Sequence, residues 1–219
     1  MTFKAPDSLS EQIADYLAER IIRGELAPGE RIQEQKVTQA LNVSRGSVRE
    51  ALLILERRHL VAILPRRGAH VTTLDERSVR SLCALMGEFY ILLGNAVAQK
   101  WRTETDLRPF LSIQQRLQQA RDQQDIKAFV AESFAVMRAA YPFADNPYLQ
   151  ETVENLQPAM SRAYYLALDQ RQASMLDYLD LFARLLDAVV ARDLSRIREV
   201  LTAYCQRSCE LVLAALARG

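Results

Sequence analysis

The stretch Val43-Ser44-Arg45-Gly46-Ser47-Val48-Arg49-Glu50-Ala51-Leu52 sets two arginines one helical turn apart at the polar start of an amphipathic segment. Spaced i,i+4, Arg45 and Arg49 project from one side of a helix. Val48, Ala51, Leu52 and Leu55 follow the i, i+3, i+4, i+7 rule and make a stripe that packs inward. Ser44 offers a capping oxygen for the helix start, and Ser47 with Glu50 offers a second capping pair. Gly46 and Ser47 are small, so the backbone between the arginines can approach phosphates closely. A helix that enters a DNA groove needs this layout.

Working outward, Ser8-Leu9-Ser10-Glu11 reads as a capping box, followed by Ile13, Tyr16, Leu17 and Ile21 at helical spacing. Gly24 closes that helix and Pro28-Gly29 makes a turn. A short second helix starts at about Glu34 and buries Val37, Ala40 and Leu41. Asn42-Val43-Ser44 then connects it tightly to the arginine-bearing helix, which makes a helix-turn-helix. Downstream, Leu60 to Leu64 is strand-like, Pro65-Arg66-Arg67-Gly68 is a turn, and Ala69-His70-Val71-Thr72 is strand-like again. This basic hairpin is a wing, and a winged helix-turn-helix domain accounts for residues 1–74.

From Asp75 the strand signals stop, and Gly87, Gly94 and Gly219 are the only glycines. Helices are readable at roughly 75–101, 104–123, 125–141, 146–167, 170–191 and 194–217. Their boundaries fall at Thr103, Asp125, Pro142 with Asn146-Pro147, and Arg192-Asp193. The fold class is therefore mainly α, the second domain (75–219) being an all-α antiparallel bundle of about six helices.

A net charge of +1 over 219 residues gives no general pull toward nucleic acid, but its distribution does. Between Asn42 and Val71, Arg45, Arg49, Arg57, Arg58, Arg66 and Arg67 face only Glu50 and Glu56, an excess of six minus two, or four positives. DNA contact is expected there and nowhere else. Arg45 or Arg49 can donate bidentately to guanine, Ser44, Ser47 and the helix-start amides can hold phosphates, and Arg66, Arg67 and His70 can touch backbone or minor groove. Arg57 and Arg58 have two readings, DNA contact or cover for the helix C-terminus.

No run of apolar residues is long enough for a membrane span, and Met1 to Ser10 lack the apolar core of a signal peptide. Three cysteines (Cys83, Cys205, Cys209) in helical patterns suit buried thiols in a reducing cytoplasm. The bundle has no histidine, no glycine-rich phosphate loop and no HExxH or GxSxG pattern, so no enzyme is expected.

Residues 8–73 resemble the winged-helix domain of GntR-family transcription regulators. The resemblance rests on Val43-Ser44-Arg45 through Val48-Arg49-Glu50-Ala51-Leu52, with Leu26-Ala27-Pro28-Gly29-Glu30-Arg31-Ile32 upstream and Arg67-Gly68-Ala69-His70-Val71 downstream. The helical part resembles the FCD effector domain of the FadR-like subfamily. The resemblance implies Ser44, Arg45, Gly46, Ser47 and Arg49 as the major-groove set and Gly68 as the wing tip. It also implies a homodimer on a pseudo-palindromic double-stranded operator, most simply as a repressor. Two positions depart from the family: Gly46-Ser47 stands for the usual Thr-Pro, and Gln35 for an arginine of the second helix.

FCD domains typically hold a divalent metal with three histidines and an aspartate. Here the only histidines, His59 and His70, precede the bundle. Counting from Asn146-Pro147 and from Asp193, the ligand positions fall on Met137, Ser133, Phe182 and Tyr204, and the family's arginine on Tyr90. None is a good hard-metal ligand, so no metal or other cofactor is expected. Two readings of Tyr90, Met137, Phe182 and Tyr204 stand open: a filled core, or an apolar pocket for a neutral or acyl-type effector. Arg162 either meets an acidic effector or is an exposed arginine. Glu132 is read as pairing with a neighbouring helix. A ligand-blind dimeric repressor, whose bundle only dimerises, is the alternative, and an unfilled cavity at those four residues discriminates against it.

Overall fold

A computed structural model describes residues 8–168 and 174–218. The described residues form nine helices and one three-stranded sheet. Two compact units emerge: one holds the described residues up to Leu74 together with Glu154–Tyr165, the other Asp75–Val153 and the described residues from Leu166 on.

In the first unit, α1 (Leu9–Ile22) is capped by Ser8, whose side chain accepts from the Glu11 amide at 3.2 Å. The reciprocal half of the expected capping box is diverted, because the Glu11 carboxylate accepts a hydrogen bond from the Arg58 guanidinium at 2.9 Å. Arg58 also binds Asp15, so it fastens the end of the arginine helix to α1. Arg58 is thus engaged within the fold, whereas Arg57 stays exposed. α1 buries Ile13, Leu17 and Ile21, but Tyr16 faces outward under Arg20.

A two-residue strand, β1 (Arg31–Ile32), follows the Pro28-Gly29 turn. α2 (Glu34–Leu41) starts where expected but buries no residue; Val37 and Leu41 are partly covered and Ala40 is exposed. Its two turns reach the core only along one edge. Asn42 ends it in the left-handed conformation (φ 52°), which Asn tolerates well. α3 (Arg45–Arg57) then buries Val48, Ala51, Leu52 and Leu55 to 2% exposure or less. β2 (Val61–Leu64) and β3 (Gly68–Val71) form the hairpin, in register Val61 with Val71 and Leu64 with Gly68. β3 is central, with β1 on its other edge. The turn requires a positive φ at Arg66 (62°) and at Gly68 (84°), and glycine meets the second without strain.

The second unit's helices are α4 (Glu76–Lys100), α5 (Glu104–Asp122), α6 (Ile126–Ala144), the start of α7 (Pro147–Leu166), α8 (Met175–Val190) and α9 (Leu194–Leu216). Asp75, Asp125 and Asp193 cap α4, α6 and α9 through their carboxylates, and Thr103 with Asp106 boxes the start of α5. Hydrogen bonds from Ser78 hold the Asp75 carboxyl below the ordinary aspartate range, and amide hydrogen bonds from Arg102 and Thr103 do the same for Asp106. Pro142 does not end its helix: α6 continues to Ala144, because a proline near the last turn removes one bond without blocking the turn that follows. Asp145 (φ 49°) is the stop, and the Asn146 side chain accepts from the amides of Tyr148 and Leu149 to start α7 behind Pro147. The expected helix start at 170 lies outside the described residues.

Gly94 and Gly87 let α4 and α9 pack closely. A Cβ on Gly94 would lie 3.0 Å from Ile197 Cγ2, and one on Gly87 would lie 3.2 Å from Cys205 Sγ. Residue numbers rise along α4 as they fall along α9, so the two run antiparallel. Among the described residues α4 alone is long and apolar enough to cross a membrane, yet nine of its residues are buried in this unit. Glu132 on α6 pairs with Arg116 on α5 at 2.9 Å, as expected. Trp101, the only tryptophan, donates from Nε1 to the Val189 carbonyl at 3.2 Å, with the Arg192 guanidinium 4.8 Å over its ring.

Burial, with Cys209 and Glu88 nearby, pushes the Cys205 thiol up to about 12. At pH 8 its thiolate should be far scarcer than that of an ordinary cysteine. Iodoacetamide labelling followed by peptide mass spectrometry should therefore leave Cys205 unmodified in the folded protein and modify it in urea. Equal labelling in both states would contradict the burial.

Candidate nucleic-acid interface and interior cavity

The start of α3 is built from its own sequence. Ser44 sits outside the helix and its Oγ accepts from the Ser47 amide at 3.0 Å, with the two hydroxyls 2.9 Å apart. Glu50 takes no part in this cap. Its carboxylate accepts from the Ser10 hydroxyl at 2.6 Å and so ties α3 to α1. Arg45 occupies the first helical position, exposed and without a side-chain partner among the described residues. Arg49 is exposed too, but its Nε donates to Glu34 of α2 at 2.9 Å. Its direction is set by that contact, and its charge is partly answered. Gly46 has open space around it, a Cβ meeting only Ser44 Oγ at 3.6 Å.

On the hairpin, Arg66 and Arg67 are exposed at the turn. His70 is half-buried on the central strand, opposite Arg31 and Ala62, with Nδ1 3.2 Å from the Gly68 carbonyl oxygen. The strand β1 gives the wing a third member that periodicity had not revealed, since two residues are too few to show a period.

In the helical unit, Tyr90, Met137, Phe182 and Tyr204 all line one cavity of about 80 Å³, and Ser133 lines it as well. Four helices, α4, α6, α8 and α9, thus bring together the positions counted from distant landmarks. The other lining groups are aliphatic or aromatic, with Tyr178 the notable addition. Its ring stands edge-on to Tyr204 with centroids 5.3 Å apart, and it stacks 6.4 Å from Phe182. Tyr178 lies one turn before Phe182, and that spacing was the signal that would have found it.

Arg162 is not part of this cavity, nor is it exposed. It is 6% exposed, and its guanidinium donates to the Thr72 carbonyl at 2.7 Å and to Thr72 Oγ1 at 2.9 Å. Loss of hydration on burial lowers its pKa. A buried guanidinium is kept by its acceptors, and here the end of the winged-helix segment supplies them.

The metal that an FCD fold implies does not suit these residues. Where ligands would stand, the cavity presents a thioether, a phenyl ring, a phenol and a serine whose hydroxyl already donates to the Val130 carbonyl at 2.7 Å. Among the described residues no three His, Cys, Asp or Glu side chains are grouped to hold a metal ion.

Comparison with known proteins finds two family models along the chain. Residues 9–71 match the model of bacterial regulatory proteins of the gntR family, and residues 88–207 match that of the FCD domain. The transcriptional repressor RspR of Escherichia coli is 26% identical over 211 residues, spanning 93% of this chain and 89% of that protein. The transcriptional regulator McbR of Escherichia coli is 25% identical over 206 residues, spanning 94% and 93%. In structure, Escherichia coli McbR/YncC superposes with a TM-score of 0.79 over 95% of this chain and 99% of its own, at 24% identity. A GntR regulator from Rhodococcus sp. RHA1 gives 0.74 over 94% and 98%, at 21% identity. At such identities the structures speak for the fold alone, while the family models cover most of the chain. The chain belongs to the GntR family of DNA-binding transcriptional regulators, with an FCD domain as its helical part.

Proposed function

We propose that this chain is a cytoplasmic repressor that binds a pseudo-palindromic operator as a homodimer and answers to a small molecule held in its helical unit. The observation that carries the DNA reading is the capped start of α3, where exposed Arg45 and Arg49 stand beside Ser44, Gly46 and Ser47. Arg45 and Arg49 read base edges, and the serine hydroxyls and first-turn amides hold phosphate. Arg66, Arg67, Gly68 and His70 supply the wing's contact. Repression is favoured by the name of the relative RspR. No metal, cofactor or catalytic step is assigned.

A dimer is favoured by α4. Leu82, Leu85, Phe89, Leu92 and Ala96 repeat at intervals of three and four along one side, with Leu85 46% and Leu92 53% exposed. The stripe is nearly symmetric about Phe89, so a two-fold axis there sets Leu85 against the partner's Leu92. An effector is favoured over a ligand-blind dimer by the unfilled cavity at Tyr90, Met137, Phe182 and Tyr204. A bound effector then biases the protein between two states of unequal operator affinity.

Selection from a random duplex pool should yield a pseudo-palindrome whose affinity falls steeply between about 50 and 200 mM salt. Enrichment of no sequence would end the reading. Replacing Leu85 and Leu92 together by arginine should raise the dimer dissociation constant by at least about 30-fold in sedimentation experiments. An unchanged constant would move the dimer contact elsewhere.

A further inference from the structure

We infer that the cavity of the helical unit selects an uncharged, mostly hydrocarbon ligand and rejects carboxylates and metal ions. This deepens, and rests on, the effector reading above. None of the residues lining the cavity carries a formal charge. Polar atoms come only from tyrosine and serine hydroxyls and from backbone. An anion entering would shed its hydration with no cation to meet it, and a metal would find no carboxylate, imidazole or thiolate.

A second, smaller recess of about 40 Å³ has Asp177 and Arg207 in its lining. That recess and the apolar cavity share Tyr178, Leu181 and Tyr204. The edge-to-face pair Tyr178 and Tyr204 thus lines both spaces, and only the smaller one has charged residues in its lining. The occupant is slim: an engineered apolar cavity of about 150 Å³ accepts benzene, and this one is about half that size. Met137, with its unbranched and flexible chain, is the lining group best able to make room.

The test uses the full chain and matched probes, 1-hexanol against hexanoate, with shorter and longer members of both series and zinc and manganese chlorides alongside. Binding is read by calorimetry and thermal shift. At pH 7.5 the alcohol should bind at least about 100-fold more tightly than the carboxylate. Between pH 7.5 and 5.5 hexanoate should gain affinity roughly tenfold per pH unit as its neutral form grows, while hexanol stays level. Ala140→Leu, which fills the cavity from α6, should weaken hexanol at least tenfold. The wild-type probe pair keeps the test valid if that variant does not fold.

Carboxylate binding as tight as alcohol binding would overturn the inference. So would hexanoate affinity independent of pH, failure of every alcohol, saturable binding of either metal in the cavity, or alcohol binding untouched by a folded Ala140→Leu. Operator binding is measured in the same preparations without probe. If it fails while hexanol binds, the regulatory reading falls and the ligand class stands; if it holds while hexanol fails, only the ligand class falls.

Discussion

Arg45→Ala is expected to weaken operator binding by about 5- to 150-fold, the equivalent of losing one bidentate guanine contact worth about 1–3 kcal/mol. The fold should not feel the change. Arg45 is exposed, opens α3 and has no side-chain partner among the described residues, and Ser44 keeps the helix start capped without it. Such surface changes usually stay within about 0.5 kcal/mol. Arg49→Ala should cost less, because part of that charge is already answered by Glu34. Removing the counter-charge with Glu34→Gln should strengthen binding in a salt-sensitive way. Electrophoretic mobility titrations across a salt series measure all three, and each lost phosphate contact should lower the salt slope by about one. Wild-type binding by both arginine variants would remove α3 as the reader.

Leu55→Ala carries the other large effect, a loss of about 2–5 kcal/mol in the stability of the winged-helix unit. Leu55 is fully buried in a core that also holds Leu17, Ile21, Leu60 and Val71. The lost contacts add to the cost of the cavity left behind. Since domains are stable by only about 5–15 kcal/mol, a substantial unfolded fraction and failing operator binding should follow at elevated temperature. Leu53 next to it is 54% exposed, and Leu53→Ala should change stability by less than about 0.5 kcal/mol. Urea unfolding monitored by circular dichroism separates the two; equal midpoints would mean the core is not organised around Leu55.

The reading head was largely legible in the sequence because its signals are local. Ser44 lies next to the helix it caps, Val48 to Leu55 repeat at 3.6 residues, and Gly68 marks its own turn. What escaped was set by distance along the chain. Glu50 answers Ser10 forty residues away, and Glu11 answers Arg58, so both acids left the helix starts that local rules assigned them. Arg162 finds Thr72 ninety residues away, which no local pattern encodes. β1 takes its identity only from β3, and Pro142 was over-weighted because its position within the last turn was not visible. The cavity was legible in an indirect manner. Counting from Asn146-Pro147 and Asp193 located Met137, Phe182 and Tyr204, yet whether their rings and chains would fill the space depended on packing, as did the place of Tyr178.

Trp101 gives the molecule a built-in optical asymmetry. The only indole is clasped by Arg192 and by the Val189 carbonyl inside the helical unit, and the winged-helix unit contains none. Tryptophan emission therefore watches one unit and is blind to the other, whereas far-ultraviolet dichroism registers helices in both. Two melting curves recorded on one sample, laid over each other, report directly whether the winged-helix and helical units come apart together or in turn.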